Sequence, residues 1–337
     1  MKVCHFIASR GLGRGEFYVD LVNELSGLCD ITLMIPEGAR YLDRVSSAVS
    51  VCQYQHKNSR KNPLLLWELG KQFKSLKPDI VHTHFGKATG IFRFLNRVLH
   101  LPHVATKHNP RKGRVFDRLA HVIAVSDQVR ATIKNSRVHV IHNAITAVPI
   151  THRKCRPARF TLMAVGRLDP IKGFDLLLKD IARLEFDFLL KIIGSGPEKQ
   201  HLMDLVSTLG LTGRVELLGY REDIPQQLNE ADLVVISSRS EGGPVVALET
   251  LFYGNLLIST PVGIVPEILP ADLLVEQGGF AEKIEQVYRD YTYYAQLFSR
   301  LQQTHQRDFL LSTIAAQHIE LYSNMLGCSM TLEHNKH

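Results

Sequence analysis

The sequence lacks the features that mark membrane-spanning and disulfide-bonded proteins. Its 337 residues contain no run that approaches the roughly 20 apolar residues of a membrane helix. The N-terminal stretch has the pattern of a buried strand and lacks the long apolar core of a signal peptide. Five cysteines are scattered without a C-x-x-C pair, so neither a zinc site nor a disulfide framework is indicated. We therefore expect a globular protein of the cytoplasm.

Two motifs for common cofactors are also missing. Gly11, Gly13 and Gly15 alternate after the first strand-like run, which is not the G-x-G-x-x-G spacing of a dinucleotide site, and no suitable acid follows the second such run. The sequence contains no Asp-x-Asp pair that could clamp a divalent metal ion. An NAD(P)-dependent dehydrogenase is therefore disfavoured, and we expect neither a cofactor nor a metal.

Positive charge is concentrated in the first half of the chain. Residues 1–150 hold 22 Lys and Arg against 10 Asp and Glu, whereas residues 151–337 hold 18 against 23. Ten of the sixteen histidines also lie in the first half. This asymmetry favours an anionic partner for the first half, although a solvated basic face is the commoner cause of any single cluster.

Thirteen strand-like apolar runs, the last at residues 273–275, alternate with helical stretches, one of which spans residues 280–304. This pattern is typical of stacked βα units and parallel sheets, and the length suits two domains. We predict an α/β protein of two doubly wound Rossmann-like domains that face each other across a cleft. The first comprises residues 1–150, completed by the helix at 309–326, and the second residues 151–308. A ligand is expected at the carboxyl ends of the strands.

Two carboxylates stand out in the stretch 238–269. Glu241 precedes a predicted helix and Glu249 lies inside it, so the pair spans on the order of 12 Å. That distance matches the separation of the ribose and the sugar ring in a sugar nucleotide. A Glu in a first helical turn is more often simply solvated. The pair indicates a binding site only when it is considered together with the neighbouring motifs.

The loop between these acids suits an anion. The backbone amides of Gly242, Gly243 and Val245 lie at a positive helix end, which favours a diphosphate. Pro244 suits the first helical position, and Gly254 is predicted to end the helix in a left-handed conformation.

Two cations mark the start of the second half. Arg167 and Lys172 flank a turn that follows the strand ending at Gly166. Arg can neutralise a leaving diphosphate bidentately, and Lys does so as a point charge. The alternative is an exposed pair on a surface loop.

Histidines and lysines follow two strands of the first half. His82 and His84 lie on one side of the fourth strand, and Lys107 and His108 end the fifth. A metal site would need further ligands at a recognisable spacing, and none is present. His82 is expected to pack within the sheet.

A basic loop follows the fifth strand. Up to residue 118 the loop contains a single acid and several basic residues, among them Lys107, Arg111, Lys112 and Arg114. The preceding helix adds further cations. The loop suits either an acceptor phosphate or an anionic membrane surface, to which each basic residue contributes about 1 kcal/mol. A purely solvated face is the alternative.

These motifs together resemble the retaining, family 4 type glycosyltransferases of GT-B fold. The matching patterns are E-G-x-P and E-x7-E at Glu241 and Glu249, G-R-x-x-x-x-K-G from Gly166, and G-x-G-P from Gly194. The chain departs from the family at Arg14 and Ile264, where the family has glycine. The resemblance covers about residues 1–270 and is denser in the second domain.

The resemblance implies catalytic and donor-binding roles for individual residues. The charge of the basic loop adds residues that are expected to bind the acceptor. We assign catalysis to His108, Arg167, Lys172 and Glu241. We assign donor binding to Gly13, Gly15, Gly166, Gly194, Gly196, Tyr220, Gly242, Gly243, Pro244, Val245 and Glu249. We assign acceptor binding to Arg14, His84, Lys107, Arg111, Lys112 and Arg114.

The expected activity is transfer of a sugar from a nucleotide sugar, with a UDP-sugar favoured, to a glycan or lipid-linked, anionic acceptor of cell-surface polysaccharide synthesis. The resemblance implies retention of configuration by front-face transfer, and the missing Asp-x-Asp pair favours a reaction without a metal. We also expect a cytoplasmic protein, which the basic loop could attach to the cytoplasmic membrane face, and no nucleic acid partner. A sugar-nucleotide epimerase or phosphorylase of the same fold and a non-catalytic sugar-nucleotide binder remain alternatives.

Overall fold

The computed structural model describes residues 1–11, 17–55, 59, 61–134, 137–151 and 158–327. The chain forms two compact units, one of residues 1–144 with 311–337 and one of residues 145–310. The sequence predicted a boundary at 150. Residues after 144 belong to the second unit because the Ile145 amide donates to the Phe309 carbonyl and Ile145 packs in the second core.

The first unit is built on a seven-stranded parallel sheet with the order β3-β2-β1-β4-β5-β6-β7. Its strands are β1 (Lys2–Ile7), β2 (Asp30–Pro36), β3 (Ser50–Tyr54), β4 (Ile80–His84), β5 (His103–Lys107), β6 (His121–Ala124) and β7 (Val138–Val140). Its helices are α1 (Phe17–Leu25), α2 (Pro63–Leu76), α3 (Phe85–Leu99), α4 (Asp127–Arg130) and, from far along the chain, α12 (Leu311–Met325).

Helices cover both faces of this sheet. Alternate residues of β1 point to opposite faces, so Val3 and Ile7 pack with α1 and α12 while Cys4 and Phe6 pack with α2 and α3. Each face therefore has its own apolar core. α2 begins at Pro63 because the Asn62 side chain accepts hydrogen bonds from the first amides of the helix.

The second unit has a five-stranded parallel sheet with the order β10-β9-β8-β11-β12 and one continuous core. Its strands are β8 (Phe160–Val165), β9 (Phe188–Ile193), β10 (Val215–Gly219), β11 (Leu233–Ile236) and β12 (Leu257–Ser259). Its helices are α5 (Phe174–Ile181), α6 (Lys199–Thr208), α7 (Ile224–Glu230), α8 (Val245–Tyr253), α9 (Val265–Ile268), α10 (Phe280–Arg289) and α11 (Tyr291–His305).

Three local predictions were wrong. A strand expected at 273–275 is a 3₁₀ turn with a single bridge from Leu274 to Ser259. The helix expected over 280–304 breaks at Asp290, whose φ of −125° and ψ of 50° are not helical. Gly254 has a φ of −82° and is not left-handed; glycine is required there because a Cβ would lie 2.4 Å from Thr250 Cγ2. No helix among the described residues is long and apolar enough to cross a membrane.

Candidate active site

In each unit the strand order reverses at one point, and ligands of open parallel sheets bind beside such points. In the second unit the reversal lies between β8 and β11, and in the first between β1 and β4. The loops after β8 and β11 hold Lys172 and Glu241, whereas β4 ends at His84. The predicted site residues therefore follow the strands where the topology favours binding.

Lys172 and Glu241 form an ion pair in the second unit. The Lys172 Nζ lies 2.6 Å from the Glu241 Oε1, and the two side chains are 20% and 17% exposed. The Ser238 hydroxyl donates to the same oxygen over 2.8 Å. Among the described residues no contact reaches Oε2, which leaves that oxygen able to accept from a ligand hydroxyl.

The sequence around Lys172 places its ammonium group. Residues 170–172 form a 3₁₀ turn that the Asp169 side chain caps by accepting from the Ile171 amide. The Lys172 chain then passes Gly166, where a Cβ would lie 3.1 Å from Lys172 Cε. Gly166 was predicted to bind the donor, and the structure gives it a second reason to be glycine.

Arg167 was predicted to neutralise the same diphosphate. Its side chain is 55% exposed, and its guanidinium pairs with the Asp169 carboxylate. A diphosphate would have to share or replace that carboxylate, so the structure leaves Arg167 more loosely positioned than Lys172.

Glu249 lies in the middle of α8 and is half-buried. Loss of hydration raises the pKa of its carboxyl to about 7. Within the described ranges no side chain or amide forms a hydrogen bond to it. A half-buried carboxyl with this pKa and without a protein partner fits recognition of ligand hydroxyls.

The helix between the two acids starts one residue later than predicted. α8 begins at Val245 after Pro244, which has an extended ψ of 113° and offers no side-chain cap. Gly242 is buried and Gly243 is half-buried in the loop before it. The amides of a helix start favour a negatively charged ligand.

Gly194 and Gly196, predicted to bind the donor, are also required by packing within the protein. Gly194 has a φ of +146°, and a Cβ there would lie 1.8 Å from the Gly166 carbonyl oxygen. A Cβ on Gly196 would lie 2.2 Å from the Leu168 carbonyl oxygen. These glycines hold the loops after β8 and β9 together, and contact with a donor is not needed to explain them.

Tyr220 follows the edge strand β10 and is 58% exposed. The Gly194 amide donates to the Gly219 carbonyl over 2.8 Å, which fixes the backbone beside it. An exposed aromatic ring at this edge is suited to stacking on a base.

In the first unit a set of histidines lies under the carboxyl ends of β1, β4 and β5. The register pairs His5 with His82 and Ile7 with His84, so the three histidines face the same side of the sheet. All three are buried. α12 covers this face, and the rings of His318 and Tyr322 lie 5.8 Å from that of His82.

His84 was predicted to contact the acceptor, and its surroundings do not support that role. The side chain is 1% exposed. Its Nε2 lies 3.0 Å from the His5 Nδ1, and its Nδ1 lies 3.2 Å from the His108 Nε2. Both nitrogens are therefore used inside the protein. The sequence missed this because His5 comes from a strand remote in sequence.

His108 is half-buried at the end of β5. Its ring packs on His84 and on Phe85, whose centroid is 4.4 Å away. Phe85 has a φ of +63°, a strained value for a residue with a side chain. Burial lowers the pKa of His108 to about 3, so the ring is neutral.

Lys107 was predicted to bind the acceptor, but its side chain points into the protein. It is 2% exposed, and its Nζ donates to the Thr132 hydroxyl and lies 5.7 Å from the Phe116 ring. Burial lowers the pKa of the ammonium group. Lys107 therefore holds the base of the loop.

The rest of the basic loop is accessible. Arg111, Lys112 and Arg114 are exposed. A cavity of about 780 Å³ is lined by Lys112 and Arg114 together with Arg118, Lys134 and one acid, Asp117. Gly13, Arg14 and Gly15 lie outside the described residues.

Three of the buried histidines also meet the distance condition for a metal site. Nitrogen atoms of His5, His82 and His84 lie within 4.8 Å of one another. Three residues of these sites, His5, Tyr322 and Ser238, were not predicted from the sequence. Sheet parity could have indicated His5, but no local pattern marks Tyr322.

Comparison with known proteins gives a consistent result. A model of Glycosyltransferase Family 4 matches residues 13–147, and a model of Glycosyl transferases group 1 matches residues 159–290. The lipopolysaccharide core biosynthesis glycosyltransferase LpsE of Rhizobium meliloti is 25% identical over 96% of this chain and 99% of its own length. An uncharacterized glycosyltransferase of Methanocaldococcus jannaschii is 30% identical over 60% of this chain and 62% of its own.

The fold likeness extends over nearly the whole chain. Anabaena HepE, solved in complex with UDP-glucose, superposes with a TM-score of 0.81 at 20% identity and covers 96% of this chain and 100% of its own. This confirms the predicted class of two parallel-sheet α/β domains of GT-B type, while the expected cleft between them stays a prediction. The chain is a glycosyltransferase, with a family 4 region at residues 13–147 and a group 1 region at residues 159–290.

Proposed function

We propose that this glycosyltransferase moves a sugar from a nucleotide sugar, with a UDP-sugar favoured, to an anionic glycan or glycolipid, with retention of configuration and without a metal. The observation that carries the proposal is the Lys172–Glu241 ion pair, followed eight positions along the chain by the half-buried Glu249 with its raised pKa. Lys172 supplies a cation that can bind a diphosphate, and Glu241 and Glu249 supply carboxyl groups that can accept hydrogen bonds from sugar hydroxyls.

The donor would lie along the start of α8. Glu249 accepts from the ribose hydroxyls, and the Oε2 of Glu241 accepts from a hydroxyl of the sugar. The diphosphate lies between them, against the amides of Gly242, Gly243 and Val245. The solved complex of HepE with UDP-glucose supports a donor of this class.

The chemical step needs charge neutralisation at the leaving group. The bond from the sugar C1 to the diphosphate oxygen breaks, and the acceptor oxygen bonds to C1 on the same face. The acceptor proton passes to the leaving phosphate. Lys172 and Arg167, with the helix amides, stabilise the negative charge that develops there.

The acceptor would bind to the basic loop of the first unit. Arg111, Lys112 and Arg114 are exposed there, and the adjoining cavity of about 780 Å³ could hold a phosphate and part of a glycan. Phe94 and Val98 of α3 are 46% and 73% exposed, which suits shallow contact with a bilayer. The relative LpsE, named for lipopolysaccharide core biosynthesis, supports this acceptor class.

A transfer assay tests the donor and the mechanism. UDP-, GDP- and ADP-sugars are offered with lipopolysaccharide core fragments, with and without EDTA, and the anomeric configuration of the product is read by NMR. We expect transfer in EDTA, with the configuration of the donor retained. Inversion, or activity restored only by magnesium or manganese, contradicts the proposed mechanism, while epimerised or cleaved donor without transfer favours the alternatives.

A triple variant tests the acceptor. Replacing Arg111, Lys112 and Arg114 by Gln is expected to impair transfer to the natural acceptor while UDP binding is unchanged. The control replaces the exposed Lys71, Lys74 and Lys77 by Gln and so removes equal charge from the same unit. The parent is expected to bind anionic liposomes in a salt-sensitive way. Full activity of the first variant, with no liposome binding by the parent at low salt, contradicts the assignment.

A further inference from the structure

Five buried side chains of the first unit, those of Thr106, His82, Tyr322, His5 and His84, form a continuous chain of hydrogen bonds that ends at His108. We call it the histidine chain. From the inner end, its contacts are Thr106 Oγ1 to His82 Nε2 at 2.6 Å, His82 Nδ1 to the Tyr322 hydroxyl at 2.6 Å, that hydroxyl to His5 Nε2 at 3.4 Å, His5 Nδ1 to His84 Nε2 at 3.0 Å, and His84 Nδ1 to His108 Nε2 at 3.2 Å.

The rings of this chain are neutral. Loss of hydration, together with the neighbouring rings, lowers the pKa of His5 and His108 to about 3 and holds those of His82 and His84 well below their usual value. Each neutral imidazole carries one proton and therefore donates at one nitrogen and accepts at the other. The tautomer of each ring is consequently fixed by its neighbour.

Counting protons leaves two uniform arrangements. In one, every ring is protonated at Nδ1 and each donor points towards His108. In the other, every ring is protonated at Nε2 and each donor points towards Thr106. A switch between the two at a ring–ring contact would place two donors or two acceptors against each other, and a switch at Tyr322 would leave either its own proton or one ring nitrogen without a partner.

The inner end of the chain selects between these arrangements. In the first, the buried Thr106 hydroxyl donates its only proton to His82 Nε2. In the second it accepts there, and its own proton needs another acceptor, which the described part of the chain does not provide. The first arrangement satisfies more groups.

We propose that Tyr322, with His5, His82 and His84, positions the reaction by holding His108 in the tautomer protonated at Nδ1. Nε2 of His108 is occupied by His84, so Nδ1 is the nitrogen that remains for a ligand. It would then present an N–H donor to the donor sugar. This role rests on the proposed function, while the tautomer itself does not.

A metal ion among His5, His82 and His84 is the competing explanation of the cluster. Both nitrogens of His82 already contact hydroxyls at 2.6 Å, and the His5–His84 contact of 3.0 Å is a hydrogen-bond distance. An ion bound there would have to break the chain. The hydrogen-bonded arrangement explains all five contacts at once.

The tautomers can be read directly by ¹⁵N NMR on protein labelled in its histidines, with the signals assigned from single-histidine variants. The proposal predicts Nδ1–H in all four rings of the histidine chain. An Nε2–H tautomer in any of them, or stoichiometric zinc bound to the purified protein at these rings, overturns it.

Activity tests the effect on His108. Tyr322→Phe interrupts the chain and keeps the ring packing. We expect kcat to fall about tenfold with KM for the donor unchanged, as for loss of one oriented hydrogen bond. The control is Tyr54→Phe, which removes another buried hydroxyl of the same unit, one that donates to the Ile7 carbonyl. It is expected to lower thermal stability similarly and to leave kcat unchanged.

A double variant separates positioning from general loosening. In a His108→Asn background no tautomer remains to be fixed, so Tyr322→Phe should have no further effect on kcat. An equal drop in both backgrounds, or an equal drop in Tyr54→Phe, overturns the proposal. If the parent transfers no sugar, the proposed function fails, and the NMR result still decides the tautomer.

Discussion

The two units build their sites from different materials. In the second unit, charged side chains on adjacent loops meet directly, as Lys172 and Glu241 do. In the first, neutral rings from β1, β4, β5 and α12 meet under the sheet edge, and His5 and Tyr322 are 317 positions apart in sequence. A cluster on loops with recognisable motifs can be predicted from the sequence, whereas a cluster assembled by packing of distant segments cannot.

The strongest way to break the second site is through its backbone. Gly194→Ala would place a Cβ 1.8 Å from the Gly166 carbonyl oxygen at a φ of +146°. We expect a loss of more than about 3 kcal/mol of unfolding free energy and of all activity. Gly70→Ala in α2 has no atom within 4 Å of its Cβ and should stabilise by about 0.5–1 kcal/mol. Urea titration checks both, and equal stability of the two variants would be inconsistent with this packing.

The next largest effect is expected from the ion pair. Lys172→Ala removes the cation for the diphosphate and leaves Glu241 without its partner, so kcat should fall at least about 100-fold. The control Lys179→Ala removes an exposed lysine of the same unit and should leave kcat unchanged. Steady-state transfer rates compare them, and similar rates for the two variants would show that Lys172 is a surface charge.

The two carboxyls separate binding from chemistry. We expect Glu249→Ala to weaken binding of the nucleoside diphosphate about tenfold, because charged hydrogen bonds to ribose are lost. Glu241→Ala should mainly slow transfer. Exposed Glu216→Ala serves as the control. Calorimetry and single-turnover rates measure the two effects, and parent-like binding and transfer in both variants would rule out the assignment.

The smallest expected effect is a pH dependence of UDP-sugar binding, which arises from Glu249 in the second unit. Because the pKa of Glu249 is raised to about 7, its carboxyl is ionised only above that pH in the unliganded protein. Ionised carboxylate accepts ribose hydroxyls more strongly, so affinity for a UDP-sugar should rise about fivefold as pH increases through 7. Glu249→Gln should give a flat profile. A parent profile as flat as that of the variant would contradict the raised pKa.

The sequence predicted the parallel sheets and twelve of the thirteen expected strands, because apolar strand-like runs between glycine-bearing loops are local signals. It did not predict that Lys107 and His84 point inward, since burial depends on neighbours such as Thr132 and His5 that are distant in sequence. The break at Asp290 was missed for a related reason, because helical periodicity continues on both sides of it.

The most direct test of the central claim is a crystal structure of the protein with UDP. We expect the diphosphate within about 3.2 Å of Lys172 Nζ and of the amides that begin α8, with the ribose hydroxyls on Glu249. Density for UDP that leaves Glu249 and Lys172 without contact to the nucleotide would contradict it.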